Sequence, residues 1–187
     1  MSPAKQEESV FQIKVTLKHS KPPIWRRVQL NSNTTLLELH AILQITMGWT
    51  NSHLHQFVAH GIYYGEPDPD LGFDVLDEQE YQVYQIVHQP GDKFFYEYDF
   101  GDGWEHEILL EEILASDSDK TYPFCIKGKR QCPPEDIGGV WGYEGFLEAL
   151  QDKNHPEHMD YKEWIGGSFD PEEFDVEKVN QMLLHFL

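Results

Sequence analysis

The residues best suited to chemistry lie in the segment YDFGDGWEH, residues 98–106. Its Gly-Asp-Gly centre favours a tight hairpin turn, because Asp-Gly supplies the positive φ angles that such a turn needs. If Asp102 and Gly103 form the turn, Asp99 faces His106 across the two strands, where opposed Cβ atoms lie about 5 Å apart. An oriented imidazole of this kind could perform general acid–base work. The alternative is that Asp102 only makes the turn and Asp99 accepts backbone hydrogen bonds.

A second group of candidates is His53-Leu54-His55. On a strand, residues i and i+2 share a face about 6.6 Å apart, so both imidazoles could hold one divalent transition metal such as Zn, Fe or Mn. Asp99 and His106 would complete a four-residue metal site if the two strands were adjacent. The alternative is a pair of hydrogen-bonded histidines in a sheet.

A stiff loop supplies two more carboxylates. The segment CPPEDIGG, residues 132–139, carries Glu135 and Asp136 between a pair of prolines, which restrict the backbone, and a pair of glycines, which permit positive φ. A rigid loop of this kind suits a binding site, and either acid is a candidate general base. The alternative is a buried turn whose acids cap the following helix.

Two cysteines raise the question of structural zinc. Cys125 and Cys132 are separated by six residues, three of them basic, and His155 and His158 could complete a set of four ligands. Nearby cations also lower a thiol pKa and could create a reactive thiolate. The spacing is not that of a CxxC zinc ribbon, so ordinary packing in a loop is the favoured interpretation.

Arg26, Trp104 and Trp141 are candidates for ligand binding. Because adjacent strand residues face opposite ways, only one of Arg26 and Arg27 can point inward. An inward Arg could pair with the acids of the hairpin or of the Glu135-Asp136 loop.

These residues require elements to position them, and the sequence predicts an α+β fold. The alternating segment VFQIKVTL indicates a half-buried strand, and the Leu spacing after Asn33 or Thr34 indicates a helix ending at Gly48. We expect a mainly antiparallel sheet, opening ββαβ, with C-terminal helices packed on it. The remaining predictions are strands at 24–30, 94–100 and 104–113, one strand or a hairpin at 53–64, and helices at 141–152, 156–165 and 173–186. Residues 77–88 are predicted as a helix, with a strand as the alternative, and 125–139 as irregular chain.

Length and charge restrict the class of protein. The chain has 187 residues, 40% of them hydrophobic, which suits one domain over 1–187 with residues 1–9 disordered. It lacks both an apolar run of the ~18 residues that a membrane span needs and an apolar N-terminal segment of the signal-peptide type, so we expect no membrane association and a cytoplasmic protein. The net charge is −19, which disfavours specific nucleic-acid binding.

Five segments together resemble one family, the plasmid pRiA4b open-reading-frame-three-like proteins. They extend over nearly the whole chain, and they are PPIWRRV (22–28), GWTNSHLHQF (48–57), YDFGDGWEHEI (98–108), CPPEDIGGVWGY (132–143) and EWIGGSFDPEEFD (163–175). The family has no established biochemical role, so the resemblance implies one compact α+β domain and assigns no catalytic residues. Some relatives carry resolvase-like labels or an added DNA-binding domain, and neither pattern is present in this sequence.

Two functions follow from the sequence as hypotheses. The preferred one is a noncatalytic binding or adaptor module that recognises a protein or small molecule through an aromatic, acidic cleft. The alternative is a metal-dependent, hydrolase-like enzyme that uses His53, His55, Asp99 and His106, with Glu135 or Asp136 as the base. Convergence of the three imidazoles on one point would favour this enzyme, whereas divergence or burial in apolar surroundings would rule it out.

Overall fold

The fold consists of one mixed β-sheet with helices packed on it. The structure is a computed structural model that describes residues 8–72 and 74–186. The strands lie in the order β5-β4-β3-β6-β7-β1-β2-β8, and every neighbouring pair is antiparallel except β4 and β5. The α+β prediction is therefore confirmed. The strands are β1 (Val10–Leu17), β2 (Trp25–Asn31), β3 (His55–Ala59), β4 (Ile62–Gly65), β5 (Leu76–Asp77), β6 (Lys93–Tyr98), β7 (Trp104–Leu114) and β8 (Phe124–Lys129). The helices are α1 (Leu36–Met47), α2 (Val83–Ile86), α3 (Gly139–Gln151), α4 (His158–Ile165) and α5 (Val176–Phe186).

The core lies on one face of the sheet, because side chains of a strand alternate between its two faces. In β6, Phe94, Tyr96 and Tyr98 are fully buried, whereas the residues between them are half-buried or exposed. Helix α1 covers this inner face and buries Leu36, Leu39 and other residues against it; α5 contacts both α1 and β8. The site described below sits at the ends of these central strands.

Helix α1 begins and ends through local hydrogen bonds. The side chain of Thr35 accepts from the backbone N–H of Glu38, and the Glu38 carboxylate accepts from the Thr35 N–H, which is a capping box. The predicted cap at Asn33 or Thr34 is thus one or two residues early. The predicted end is confirmed: Gly48 has a φ of 113°, a left-handed conformation that glycine adopts without strain.

Two element predictions differ from the structure. Residues 125–139 were expected to be irregular, but Phe124–Lys129 forms strand β8, which pairs with β2 at the sheet edge. The backbone partner that β2 offers, and not the local sequence, makes this segment a strand. The helix expected at 77–88 is reduced to one turn, Val83–Ile86, because β5 and turns take up the residues before it.

The hairpin between β6 and β7 has a longer turn than predicted. Tyr98 pairs with Trp104 and Tyr96 pairs with His106, so five residues, 99–103, connect the strands. The N–H of Gly103 donates to the Asp99 carbonyl at 2.6 Å, and both residues have positive φ. The predicted two-residue turn and the predicted Asp99–His106 pair are therefore wrong.

The prediction of disorder over 1–9 falls mostly on residues 1–7, which lie outside the described residues. The part within them is ordered, since the Ser9 carbonyl accepts a hydrogen bond from Ser32 at 2.8 Å. Among the described residues, no helix is both long enough and apolar enough to cross a membrane.

Candidate functional site

Three loops converge at one end of the central strands. One follows α1 and contains His53, one is the β6–β7 turn with Asp99, and one precedes α3 with Glu135 and Asp136. They belong to GWTNSHLHQF, YDFGDGWEHEI and CPPEDIGGVWGY, three of the segments that carry the family resemblance. Segments that lie up to about 85 residues apart along the chain therefore build one site.

The imidazole of His53 faces three carboxylates. Its Nε2 lies 2.8 Å from Asp136 Oδ1, 3.6 Å from Asp99 Oδ2 and 3.8 Å from Glu135 Oε2. Among the described residues, no Lys or Arg forms an ion pair with these acids. The acids therefore concentrate negative charge around a single imidazole, an arrangement that a bound cation would stabilise.

His53, Asp99 and Asp136 form what we call the candidate triad. One ligand atom from each lies within 4.8 Å of the others. An ion bound at about 2.1 Å to each ligand would separate ligand atoms by about 3.0–3.4 Å in octahedral or tetrahedral geometry. The measured 2.8 and 3.6 Å lie close to this range. The spacing thus fits a small divalent cation.

The Nε2 atom of His53 has an unusual environment. It is shielded from solvent and makes no hydrogen bond, although Asp136 Oδ1 is at 2.8 Å. A buried polar atom without a partner costs about 1–3 kcal/mol. A metal ion on the lone pair of Nε2 would satisfy this atom.

Asp99 is held by its own turn. It has a φ of 60°, and its Oδ1 accepts from the N–H groups of Gly101 and Asp102 at 3.0 and 3.3 Å. Its Oδ2 is left to face His53. Asn51 and Asp136, on the other two loops, also have positive φ, at 53° and 59°. Unusual backbone conformations that gather in one place are typical of functional sites.

Glu135 is positioned by donors from two elements. Its Oε1 accepts from the backbone N–H and the hydroxyl of Thr50, at 2.8 and 3.0 Å, and from the Tyr98 hydroxyl at 3.0 Å. Burial, together with this carboxylate, raises the pKa of Tyr98 to about 12, so the phenol keeps its proton at neutral pH. The other oxygen of Glu135, Oε2, faces His53. It accepts a longer hydrogen bond from the Tyr98 hydroxyl, at 3.3 Å.

A second contact holds the turn against helix α3. Asp102 Oδ2 accepts from the N–H of Gly138, the N-cap residue of α3, at 3.0 Å, where the helix dipole also favours a negative charge. Gly139, with a φ of 72°, packs so closely on Asp102 that a Cβ atom there would overlap the Asp102 carbonyl. The glycine pair therefore permits the close approach that brings Asp136 to Asp99.

A buried polar network supports the loop that contains His53. Asn51 Oδ1 accepts from His40 Nε2 at 2.8 Å, His40 Nδ1 accepts from the Tyr96 hydroxyl at 2.8 Å, and Gln44 donates to that hydroxyl at 2.9 Å. Gln44 Oε1 accepts the Asn51 N–H at 2.8 Å and closes the ring. Burial lowers the pKa of His40 to about 4, so His40 is neutral at pH 7, as the network requires.

His55 is not part of the candidate triad. Its Nε2 pairs with the buried carboxylate of Glu78 at 2.8 Å, and its ring stacks on His40 with centroids 3.4 Å apart. His53 precedes β3 whereas His55 begins it, so the two imidazoles meet different partners. The predicted four-residue metal site is therefore wrong in this member.

His106 is also excluded from the site. Its ring is fully buried on the inner face of the sheet, Nδ1 lies 3.3 Å from the Tyr96 carbonyl, and burial lowers its pKa to about 4. The longer turn causes this placement, because it moves the partner of His106 from Asp99 to Tyr96. The prediction of His106 as a metal ligand and acid–base residue is wrong. The three imidazoles do not converge, so the three-histidine form of the enzyme hypothesis fails, and only a site with His53 as its single imidazole stays possible among the described residues.

The three candidates for ligand binding, Arg26, Trp104 and Trp141, lie in different environments. Arg26 points inward as one of the Arg pair had to, but it donates to the carbonyls of Thr46 and Met47 at the end of α1 and lies 4.0 Å from the centroid of the Phe174 ring. Among the described residues it forms no ion pair with the acids of the hairpin or of the Glu135-Asp136 loop. Burial lowers its pKa to about 10. Trp104 is fully buried, whereas Trp141 is 73% exposed. Of the three, only Trp141 is accessible to a ligand.

The zinc set does not assemble among the described residues. Cys125 is fully buried, and its N–H donates to Asn180. His155 Nδ1 accepts from Glu157 N–H, and His158 Nδ1 donates to the Ala149 carbonyl. Burial raises the pKa of both cysteine thiols, so they stay protonated and unreactive. The zinc alternative is therefore not supported among the described residues, and ordinary packing, the favoured interpretation, accounts for them.

Several positioning residues escaped the sequence reasoning. Thr50, Asn51 and Tyr98 lie inside segments quoted for the resemblance, yet no role was predicted for them. His40 and Glu78 were assigned only to predicted helices. One local signal existed for Asn51, because Asn adopts left-handed φ more readily than most residues. The hydrogen-bond partners lie far apart along the chain, and their pairing leaves no local pattern.

Known proteins provide an independent comparison. A sequence profile described as "Plasmid pRiA4b ORF-3-like protein" matches residues 9–178. The uncharacterized protein y4hQ of Sinorhizobium fredii (strain NBRC 101917 / NGR234) is 42% identical over 161 residues, which cover 86% of this chain and 82% of that protein. The crystal structure of a protein of unknown function, MM3350, from Methanosarcina mazei Go1 has a TM-score of 0.82 at 38% identity and covers 91% of this chain and 97% of that one. All three residues of the candidate triad lie within the profile match.

Proposed function

This chain belongs to the plasmid pRiA4b ORF-3-like family, and within that family we propose that it is a metal-dependent, hydrolase-like enzyme with its centre at the candidate triad. One observation carries the proposal: Nε2 of His53 is buried without a hydrogen bond, at ligand-to-ligand distance from Asp99 and Asp136. One imidazole and two carboxylates suit Zn²⁺, Fe²⁺ or Mn²⁺.

The chemistry follows from three protein ligands with open positions. Such sites bind a water molecule and lower its pKa, which makes it a nucleophile near neutral pH. Glu135 is the base in this proposal, because its Oε1 is occupied by Thr50 and Tyr98 while Oε2 faces the triad. Asp136, the other base predicted from the sequence, becomes a ligand.

The first test is metal binding by the chelator-treated full-length protein. Isothermal titration with Zn²⁺ and with Mn²⁺ is expected to show one site per chain, and Asp136→Asn should weaken binding by about 100-fold or more, since a ligand contributes more than the 10–100-fold of an outer-shell partner. Asp136 is 68% exposed, so this variant should fold normally. Asp152→Asn, at an exposed position after α3, is the matched control and should bind like the wild type. Equal affinity in Asp136→Asn would contradict the proposed site.

The second test separates an enzyme from the noncatalytic module, which is favoured by the exposed apolar side chains beside the triad (Leu54 at 52% and Phe100 at 43%). Metal-loaded protein is assayed against fluorogenic esters and amides, with Glu135→Gln as the variant. Turnover that Glu135→Gln lowers by about 100-fold or more supports the enzyme, in line with the usual contribution of a general base. Metal binding without turnover of any substrate would instead support the binding module.

A further inference from the structure

A groove beside the candidate triad has an apolar wall. Leu54, Leu71, Val75 and Phe100 line a cavity of about 330 Å³. Leu54, Leu71 and Phe100 are 52, 47 and 43% exposed, so apolar surface is concentrated around this concavity. Concave apolar surface of this size is typical of small-molecule sites. We call this cavity the apolar groove.

The apolar groove continues toward the triad. A second cavity of about 580 Å³ is lined by His53 and shares Leu54, His55 and Glu66 with the groove. Leu54 directly follows His53, so the groove starts one residue from the first metal ligand. A ligand seated in the groove can therefore extend along the shared residues to His53, the one triad residue among the described lining residues of the second cavity.

The charge around both cavities has one sign. Glu66, Asp68 and Glu97 line the apolar groove, and Glu78 lines the second cavity. Among the described lining residues of the two cavities there is no Lys or Arg. Charges of one sign along a cleft with low-dielectric walls focus the field and attract the opposite charge.

We propose that the apolar groove binds a small ligand with an apolar body and a positively charged amine. Binding of the amine-bearing part in the groove places the other end of the ligand at the triad. The apolar body covers Leu54 and Leu71, and the cation meets the acids and the face of Phe100. Phosphate esters and nucleotides meet these carboxylates and find no Lys or Arg among the described lining residues, so they are disfavoured. The role as a substrate site rests on the proposed metal centre, whereas ligand binding itself does not.

The test compares two probes with the same apolar body, 4-phenylbutylamine and 4-phenylbutyrate. Each is titrated into ¹⁵N-labelled full-length protein at pH 7 while amide shifts are followed. The amine is expected to shift the signals of Leu54, Gln56 and Phe100 and to bind about tenfold tighter than the carboxylate, a difference that a few charges at protein-surface dielectric can supply. Equal or tighter binding of the carboxylate, or shifts confined to other regions, would overturn the proposal.

Variants locate the charge effect and separate the two proposals. Glu66→Gln should reduce the preference for the amine by about threefold, because one of the facing charges is removed, whereas Glu112→Gln, at an exposed position far along β7, should leave it unchanged. The same reduction in both variants would show a general charge effect and overturn the assignment. Asp136→Asn should lose metal affinity and keep amine binding, so a failure of the metal centre and a failure of the groove are distinguishable.

Discussion

The two oxygens of the Asp99 carboxylate have different partners, and this division accounts for its position. Oδ1 satisfies the N–H groups of Gly101 and Asp102, which fixes the turn, and Oδ2 faces His53. The sequence suggested backbone hydrogen bonding and chemistry as alternatives for Asp99. The structure shows the backbone hydrogen bonds, and the proposed chemistry is compatible with them because the turn uses only one of the two oxygens.

Asn51 combines conformation and hydrogen bonding in a similar way. Its φ of 53° is tolerated by Asn better than by most residues, and its side-chain oxygen accepts from His40. Since His53 is two residues further along the chain, the anchored Asn51 fixes the backbone from which the His53 side chain extends. Asn51 is therefore a positioning residue for the candidate triad.

We predict that Asn51→Gly lowers metal affinity by about 10–100-fold, the usual effect of an outer-shell partner. Glycine retains the positive φ but removes the acceptor of His40, which also lowers the free energy of unfolding by about 1–3 kcal/mol. Isothermal titration and urea unfolding measure the two effects. Asn154→Gly, on an exposed turn, is the control. Unchanged affinity in Asn51→Gly would show that the network stabilises the fold without positioning His53.

At the scale of elements, the site depends on how the β6–β7 turn docks on helix α3. The Asp102 carboxylate accepts a hydrogen bond from the N–H of Gly138, the N-cap residue of α3, and Gly139 allows the two backbones to come into contact. The docking brings Asp99 and Asp136 to one imidazole although they lie in different loops. Paired glycines before a helix are visible in the sequence, but the surface that they approach is not.

We predict that Gly139→Ala lowers the free energy of unfolding by about 2 kcal/mol or more, because a φ of 72° strains alanine and the added methyl group overlaps the Asp102 carbonyl. Gly145→Ala, in the same helix with open space around it, should be neutral or stabilising by up to about 1 kcal/mol. Urea unfolding of the two variants provides the comparison. Similar stabilities would contradict the close approach at Gly139.

For the whole molecule, two buried imidazoles govern the response to acid. Burial lowers the pKa of His40 and of His106 to about 4, below the ordinary 6.5. Between these values the unfolded chain takes up protons that the native protein does not. The contribution of the two imidazoles to the free energy of unfolding is therefore complete above pH 6.5 and declines as the pH falls toward 4. Each group contributes a slope of up to about 1.4 kcal/mol per pH unit in that window.

We predict that His106→Leu reduces the slope of unfolding free energy against pH between 6.5 and 4, by up to about 1.4 kcal/mol per pH unit. The carboxylates titrate in both proteins, so the difference between the slopes isolates the imidazole. Urea unfolding at several pH values measures it. His185→Gln, on the exposed side of α5, should keep the wild-type slope, and a parallel His106→Leu curve would contradict the assignment.

Local sequence patterns determined much of the fold. Alternation in VFQIKVTL marked β1, the Leu spacing and Gly48 marked the end of α1, and Asp-Gly marked a hairpin, because each signal acts within one element. Strand β8 was missed because its pairing depends on a neighbour, β2, about 100 residues earlier. The short α2 shows the same limit, since tertiary pairing at β5 overrode a weak helical pattern.

The sequence by itself determined the fold class and the family resemblance, whose five segments include the three that build the site. It also placed His53, Asp99, Glu135 and Asp136 among the candidates. Only the tertiary structure decided that these four meet while His55, His106 and the cysteines do not. One physical reason is register: because the hairpin turn has five residues and not two, His106 faces the core. The other is that no pattern along the chain encodes which distant loop docks against which.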